Sequence, residues 1–359
     1  MSKYEVHWYS DTGNRKHIIT SFHRLEYVRV ENDYGASILT LPLGSWKWED
    51  FHEDDILEIW RGKGGSIQLQ NQTAYFVRDW RFYTDSSGKD FAEILAYDAN
   101  YLLDGAIVNF AAESAQAAKT DYADDMIKEV VTENLVSRGL GKITVASDLS
   151  AAASFTKHFA WRNVLTVCKE IAEQANQNGD YLVFDVVRTN PCTFQLQTFT
   201  GQRGQDHSRG NNDPKIVSRA TGNLLEASFS ESHSRERNYI IVGGQGEASA
   251  RTIVYRSDAG RMASSAWNRR ELFADGRNAT TTAALNSIGD AKLDEYRPKQ
   301  VMTGKITDTE GMKFNIHYGF GDLLTAEAFG FAVDCHVSSV KVKADQNGER
   351  IDIRLRGEL

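Results

Sequence analysis

The stretch LEYVRVENDYGASILTLPL, Leu25 to Leu43, decides how this chain is read. Its two runs, LEYVRVEN and GASILTLPL, alternate β-branched, aromatic and aliphatic residues with polar ones. Asn32, Asp33 and Gly35 stand where the two runs meet, residues whose backbone suits turns. Outward from this point the pattern repeats: DILEIWRG, SIQLQN, TAYFVRDWRFYTD and DFAEILAYD follow, each bounded by Gly, Asn, Asp or Ser. Tyr83 to Lys89 reads as a hairpin loop. Strands this short and this closely spaced predict a small antiparallel barrel or sandwich over residues 1–108. Its core is expected at Leu39, Leu41, Ile56, Leu57, Ile59, Phe76, Trp80, Ile94 and Leu95. Trp46, Trp48 and Trp60 belong either to that core or to a subunit interface.

From 109 to 215 the texture changes to α/β. Met126, Ile127, Val130, Val131 and Leu135 recur at helical spacing, with Gly139 as a stop. Val164, Leu165, Cys168, Ile171, Ala172 and Ala175 form the stripe of a second helix, from about Arg162 to Asn178, that ends at Gly179. DYLVFDVVR and CTFQLQTFT then read as strands, and Gly201 to Pro214 as a long polar loop. Strands resume over 216–359 with NLLEASFSESHS, RNYIIVGG and ARTIVYRSD, interrupted by a helical insertion at about 262–298. Leu285, Ile288, Leu293 and Tyr296 supply that helix's buried side, and Pro298 ends it. No fixed-period repeat or low-complexity tract is present.

Composition narrows the function. The 359 residues hold 41 Lys+Arg and 49 Asp+Glu, a net charge of -8 with pI about 5.7, the wrong sign for a nucleic-acid-gripping protein. Cys168, Cys192 and Cys335 are too few for a disulfide framework or a four-cysteine metal site. Only four prolines occur, where average usage would give roughly eighteen. Domains that pack tightly, without proline-rich linkers, are the expectation. The N-terminus lacks the apolar region of a secretory signal, and no apolar window reaches the roughly eighteen residues of a membrane span. Folding in a cytoplasm follows.

The chemical motifs resolve into structural ones. VGGQGEAS, Val242 to Ser249, lacks the Lys-Ser/Thr ending of a phosphate loop, and Ser249 stands where a third dinucleotide-motif glycine belongs. Its glycines, Gly243, Gly244 and Gly246, are expected to supply a hairpin turn. His336, Cys335 and Asp334 are adjacent on a strand and so point to opposite faces, and no H-x-x-x-H or C-x-x-C pair occurs, so no metal is expected. No G-x-S-x-G elbow is present, and Cys168 lies on an apolar stripe as a small core residue. Asp124 and Asp125 precede a helix and suit capping, while Asp54 and Asp55 fit a turn. Arg203 and Arg209, Arg235 and Arg237, and Arg269 and Arg270 are interrupted by Asp206, Glu231, Glu236 and Glu271, a pattern of ion pairs. No catalytic residue and no cofactor site are assigned.

Taken in order, the segments resemble the tail-hub, or baseplate hub, proteins of long-tailed bacteriophages, relatives of the late control protein D family. The resemblance runs through Leu25 to Leu43, Asp54 to Gly62, Tyr75 to Val108, Thr198 to Ser208 and Arg237 to Arg251. It closes with GFGDLLTAEAFGFAVDCHVSSVKV, Gly319 to Val342, where Gly321 and Asp322 stand as the turn of the closing hairpin. It implies a mainly β fold: two small antiparallel β-barrels side by side, an α/β domain inserted between them and a helical insertion in the second. It also implies a homotrimer whose six barrels cap a sixfold tail tube in the virion, assembled in the host cytoplasm. The implied partners are the distal tail protein ring, the C-terminus of the tape-measure protein and tip or receptor-binding fibre proteins, with DNA only in transient passage. The chain stops at Leu359, so no lytic or receptor-binding extension is implied. A cell-wall-degrading tail enzyme and a monomeric glycan-binding β protein are the alternatives from other classes. In a hub, the charge of -8 suits a lumen with acidic or neutral walls.

Overall fold

A computed structural model describes residues 3–44, 46–63, 66–109, 117–140, 142–159, 161–177, 179–247, 250–277, 279 and 281–358. Strands take 47% of the chain and helices 18%, so the fold is mainly β. Among the described residues, fifteen strands form one sheet. Its path runs from Leu224–Ser232 through Lys299–Ile306, Gly348–Glu358 and Phe331–Asp345 to Arg24–Val30. It continues through Ala36–Pro42, Asp90–Asp98, Tyr75–Thr84, Ile56–Lys63 and Lys3–Tyr9 to Arg15–Ile19. Among the described residues no ladder joins the two ends of this path, so the sheet is open where two closed barrels were expected.

The strand Phe331–Asp345 explains the difference. It is 15 residues long, enough to serve two partners along one edge. Phe331 to His336 pair with Leu323–Ala328, and Ser339 to Asp345 pair with Arg24–Val30. A register shift between Val337 and Ser339 marks the changeover, where a bulge can bend the strand from one partner to the next. Both β regions therefore belong to one sheet and one core. That core includes Trp8, Tyr27, Leu39, Tyr75 and Ile94 from the first region, and Met302, Phe314, Leu324, Val340 and Ile353 from the second. Of the expected core positions, Leu39, Leu41, Ile56, Leu57, Ile59, Phe76 and Ile94 are buried. Leu95 is half-buried, because it alternates with Ile94 to the opposite face, and Trp80 packs at the core margin.

The α/β unit carries helices α1 (Ala123–Val131) and α2 (Val164–Gln177). All the stripe residues expected in both helices are buried. A π-turn over Thr132–Val136 extends α1, and Gly139 follows at φ 68°. The helices pack with a sheet of Ile143–Val145, Thr193–Thr200 and Leu182–Asn190. Ala117–Tyr122 pairs with Ser154–Phe159 nearby.

The insertion in the second β region is larger than its helical pattern suggested. Tyr239–Gly243 and Ile253–Ser257 leave the main sheet and join Glu271–Asp275 in a sheet of three. A short helix, α3 (Ala259–Ala263), precedes the third strand, and α4 (Thr282–Glu295) covers one face of the sheet. Ile240, Val242, Ala274 and Leu285 form a separate small core there.

Candidate functional site

The seam between the α/β unit and the main sheet gathers the chain's buried charges. Leu25, Tyr27 and Arg29 share the inward face of one strand, so Arg29 enters the interior fully buried. Its guanidinium lies 2.7 Å from Asp98 and pairs on its other side with Asp185 of the inserted unit. Asp185 also takes Arg203 Nε at 2.6 Å. Both guanidiniums lie over the Phe320 ring of the second β region, at 5.6 and 5.2 Å from its centroid. Two arginines and two aspartates, a pair each from the first β region and the inserted unit, thus form a neutral cluster against Phe320 of the second β region, the condition under which buried charge is tolerated. Burial alone would raise the Asp185 carboxyl, but Arg29 and Arg203 more than offset it and hold it below its ordinary value. Burial lifts the Asp98 carboxyl despite Arg29 and the Gly35 amide.

Around this cluster, side chains of the first β region satisfy the backbone of strand Leu182–Asn190. Asn32 Nδ2 donates to the Leu182 carbonyl at 2.9 Å, and Asn32 Oδ1 accepts from the Phe184 amide at 2.8 Å. Asn100 Oδ1 accepts from the Val186 amide at 2.7 Å. Arg188 makes a two-point pair with buried Glu58 at 2.8 and 3.1 Å and lies over Trp60. The Tyr181 hydroxyl donates to Glu31 at 2.6 Å, and its ring stacks on His336 at 3.6 Å between centroids. Glu349 ties Arg61 and Tyr4 together across the two β regions. This arrangement ties the inserted unit to the main sheet through side chain–backbone bonds and ion pairs. Among the described residues of the seam, no nucleophile lies aligned with a base.

The residues singled out in the sequence fall elsewhere. Tyr239–Gly243 and Ile253–Ser257 do form a hairpin, and Gly246 in its loop has φ 99°. Gly243 and Gly244 do not need positive φ. A Cβ at Gly243 would come within 2.6 Å of Phe273 Cζ, and one at Gly244 within 2.8 Å of Leu285 Cδ1, so packing space is what they supply. Ala248 and Ser249 of that loop lie outside the described residues. Gly321, at φ 83°, and Asp322 form the turn that enters strand Leu323–Ala328, with Asp322 accepting from the Gln205 and Gly319 amides. The hairpin's own turn is Phe329-Gly330, both at positive φ between paired Ala328 and Phe331.

Asp124 and Asp125 hold an incoming loop rather than capping their helix. Asp124 accepts from the Ala151 and Ala152 amides, and Asp125 from Leu149, Ser150 and Lys128. Asp54 sits in a turn at φ 63°, while Asp55 anchors Trp8 Nε1 and Lys16 Nζ. Burial pushes the Cys168 thiol up to about 12 and the His336 imidazole down to about 4. Arg209 pairs with Glu327, and Arg269 with Glu271. A cleft of about 910 Å³ beside the small sheet includes His233, which bridges Glu231 and Glu236 through its two ring nitrogens. Among the described residues no group of three or more His, Cys, Asp or Glu could hold a metal ion, and no helix is long and apolar enough to cross a membrane. Trp46 packs on the core, Trp60 is half-buried under Arg188, and Trp48 is 54% exposed.

The seam residues Arg29, Asp98 and Asp185 were not singled out in the sequence. Their signal was a charge inside an apolar run, Arg29 in LEYVRV and Asp185 in YLVFDVV.

The fold is that of bacteriophage tail proteins. The 43 kDa tail protein of prophage MuSo2 from Shewanella oneidensis superposes with TM-score 0.56 at 13% identity, over 99% of this chain and 98% of that one. A tail protein from Neisseria meningitidis MC58 gives 0.56 at 12% identity over 99% and 96%, and prophage tail protein gp18 from Listeria monocytogenes 0.53 at 13% over 98% and 94%. No curated protein sequence matches the chain. Residues 5–355 match the family described as Siphovirus ReqiPepy6 Gp37-like protein, and the chain belongs to that family of phage tail proteins.

Proposed function

We propose that this chain is the hub of a phage tail tip, the ring that closes the end of the tail tube and opens for ejection. Three copies stand about the tail axis, each contributing two β regions, so that a threefold object presents six β units to a sixfold tube. The seam of Ser339 to Asp345 on Arg24–Val30 supports this reading most strongly. It fixes the two β regions of one chain as a single body, which an adapter between symmetries requires.

The ring joins the distal tail protein ring on one side and tip or receptor-binding fibre proteins on the other, and it encloses the C-terminal end of the tape-measure protein. DNA only passes through. A net charge of -8 suits a lumen that repels phosphate, so the ejected strand does not stick. The role is mechanical: the buried charges of the seam are spent on one another. Native mass spectrometry of the purified chain tests the assembly, with three chains of 40.2 kDa expected at about 121 kDa. A stable monomer at micromolar concentration, or cleavage of purified cell walls that depends on a single carboxylate, overturns it.

A further inference from the structure

The main sheet contains one four-strand order twice. Leu224–Ser232, Lys299–Ile306, Gly348–Glu358 and Phe331–Asp345 come first along its path, then Arg24–Val30, Ala36–Pro42, Asp90–Asp98 and Tyr75–Thr84. Neighbours within both sets are antiparallel, and each set ends in a hairpin whose first strand lies outermost. Both outermost strands carry a register shift, between Val77 and Asp79 and between Val337 and Ser339. Before the shift each serves a local partner: Tyr75 and Phe76 pair with Leu57 and Ile56, and Phe331 to His336 with Leu323–Ala328. After it, Ser339 to Asp345 pair with Arg24–Val30, the first strand of the other set. Asp79 to Thr84 stand in the matching place, with that edge unpaired among the described residues. Leu224–Ser232, the first strand of its set, is likewise paired along one edge only, with Lys299–Ile306. One chain therefore holds one finished seam and the two halves of a second.

The two halves fit each other on the pattern of the finished seam. LEYVRVE, Leu25 to Glu31, and LEASFSE, Leu225 to Glu231, share Leu-Glu at the start and Glu at the end. In the finished seam Val340 stands opposite Arg29 and Val342 opposite Tyr27, all buried. Counted from the register shifts, Trp80 and Phe82 take the places of Val340 and Val342, and Phe229 and Ala227 those of Arg29 and Tyr27. These four are only partly buried against the core, and exposed Trp48 packs on Trp80 and Phe82 at 5.8 and 5.5 Å between centroids. On the outward face Lys341 reaches Glu26 at 2.5 Å across the finished seam, and Arg81 and Glu226 stand in those places. Each keeps one local partner, Glu93 and Lys305, as Glu26 keeps Arg24. A bulge at Glu226, φ 48°, interrupts the ladder to Lys299–Ile306, so the register is set over Ala227 to Ser230.

We propose that Asp79 to Thr84 of one copy pair antiparallel with Leu224–Ser232 of the next, placing Trp80 opposite Phe229 and Arg81 opposite Ser228. The two edges differ, so the contact is head-to-tail and closes into a ring. Alternating with the internal seam, it carries one sheet around three copies and covers both open edges; this rests on the threefold assembly proposed above. Arg81→Cys with Ser228→Cys in the full chain tests it, since opposite positions on paired strands lie within reach of a disulfide or a short bis-maleimide. Both side chains are exposed, so circular dichroism should be unchanged. On a non-reducing gel the double variant should give species of two and three chains of 40.2 kDa, about 80 and 121 kDa. Each single variant alone should match the parent, and an equimolar mixture of the two should stop at two chains. Arg15→Cys with Ser228→Cys, which uses the sheet's other terminal strand, should give no link. A trimer by native mass spectrometry that lacks the first link, or forms the second instead, overturns the seam and leaves the hub reading standing. Ladders beyond three chains overturn the closed ring, and a monomer overturns both readings.

Discussion

Replacing Arg29 with alanine should be among the most damaging single changes outside the apolar core. Arg29 is fully buried, and its removal leaves Asp98 and Asp185 without the charge between them. Asp185 keeps Arg203, but Asp98 keeps only the Gly35 and Asn100 amides. Breaking a buried pair from one side costs about 3–5 kcal/mol. For a chain of 359 residues melting as one unit, that corresponds to a drop in Tm of about 5 °C. The sign with pH is also determined. Without Arg29, the stranded Asp98 carboxyl, already above its unfolded value, rises further, so the variant is least penalised at low pH and loses stability as pH rises through the new value. Adding Asp98→Asn to Arg29→Ala should recover part of the loss, since no lone charge then remains at Asp98. Urea denaturation of parent, single and double variants at about pH 5 and about pH 8 measures all of this. A single variant within about 1 kcal/mol of the parent at both pH values would refute the reasoning.

Three further outcomes follow from the same seam. Burial, the largest influence, lifts the Glu31 carboxyl to about 7 against the Tyr181 hydroxyl, Arg203 and Arg356, with Asp185 adding to the rise. Its contribution is therefore full below its unfolded value and lost as pH climbs through about 7, so Glu31→Gln should out-stabilise the parent by about 2 kcal/mol at about pH 8 but not at about pH 5; equal pH slopes in urea melts would count against it. Gly35→Ala places a Cβ 1.9 Å from the Val28 carbonyl oxygen, a backbone clash expected to cost about 3 kcal/mol in a thermal melt. Asn100→Ala removes the acceptor of the Val186 amide and should cost about 2 kcal/mol, with faster hydrogen exchange at Val186 separating a loosened inserted unit from global unfolding.

Local periodicity made the elements legible. The stripes of α1 and α2 and the alternation in Leu25 to Leu43 needed no distant information, and they appear where the spacing put them. Strand partners were another matter. Ser339 to Asp345 reach Arg24–Val30 across nearly the whole chain, so the single open sheet could not be read from short-range pattern. Tyr239–Gly243 looked like any other strand, and only its partner, Glu271–Asp275, moves it to a separate sheet. Phe329-Gly330 carries little turn signal because phenylalanine is a poor residue for positive φ, whereas Gly321-Asp322 looks like an ordinary turn. Arg29 meets Asp185 across 156 positions, so each was visible as an inward charge while its partner was not.

Electron cryomicroscopy of whole phage tails, compared with particles in which this chain carries a compact tag at an exposed loop such as Ser86-Ser87, places the chain directly. The hub assignment predicts tag density on the tail axis at the tip, as three copies related by a threefold, ringing a channel with acidic or neutral walls. Tag density along the tube, away from the axis, or in six equivalent copies would contradict it, as would a strongly basic channel wall.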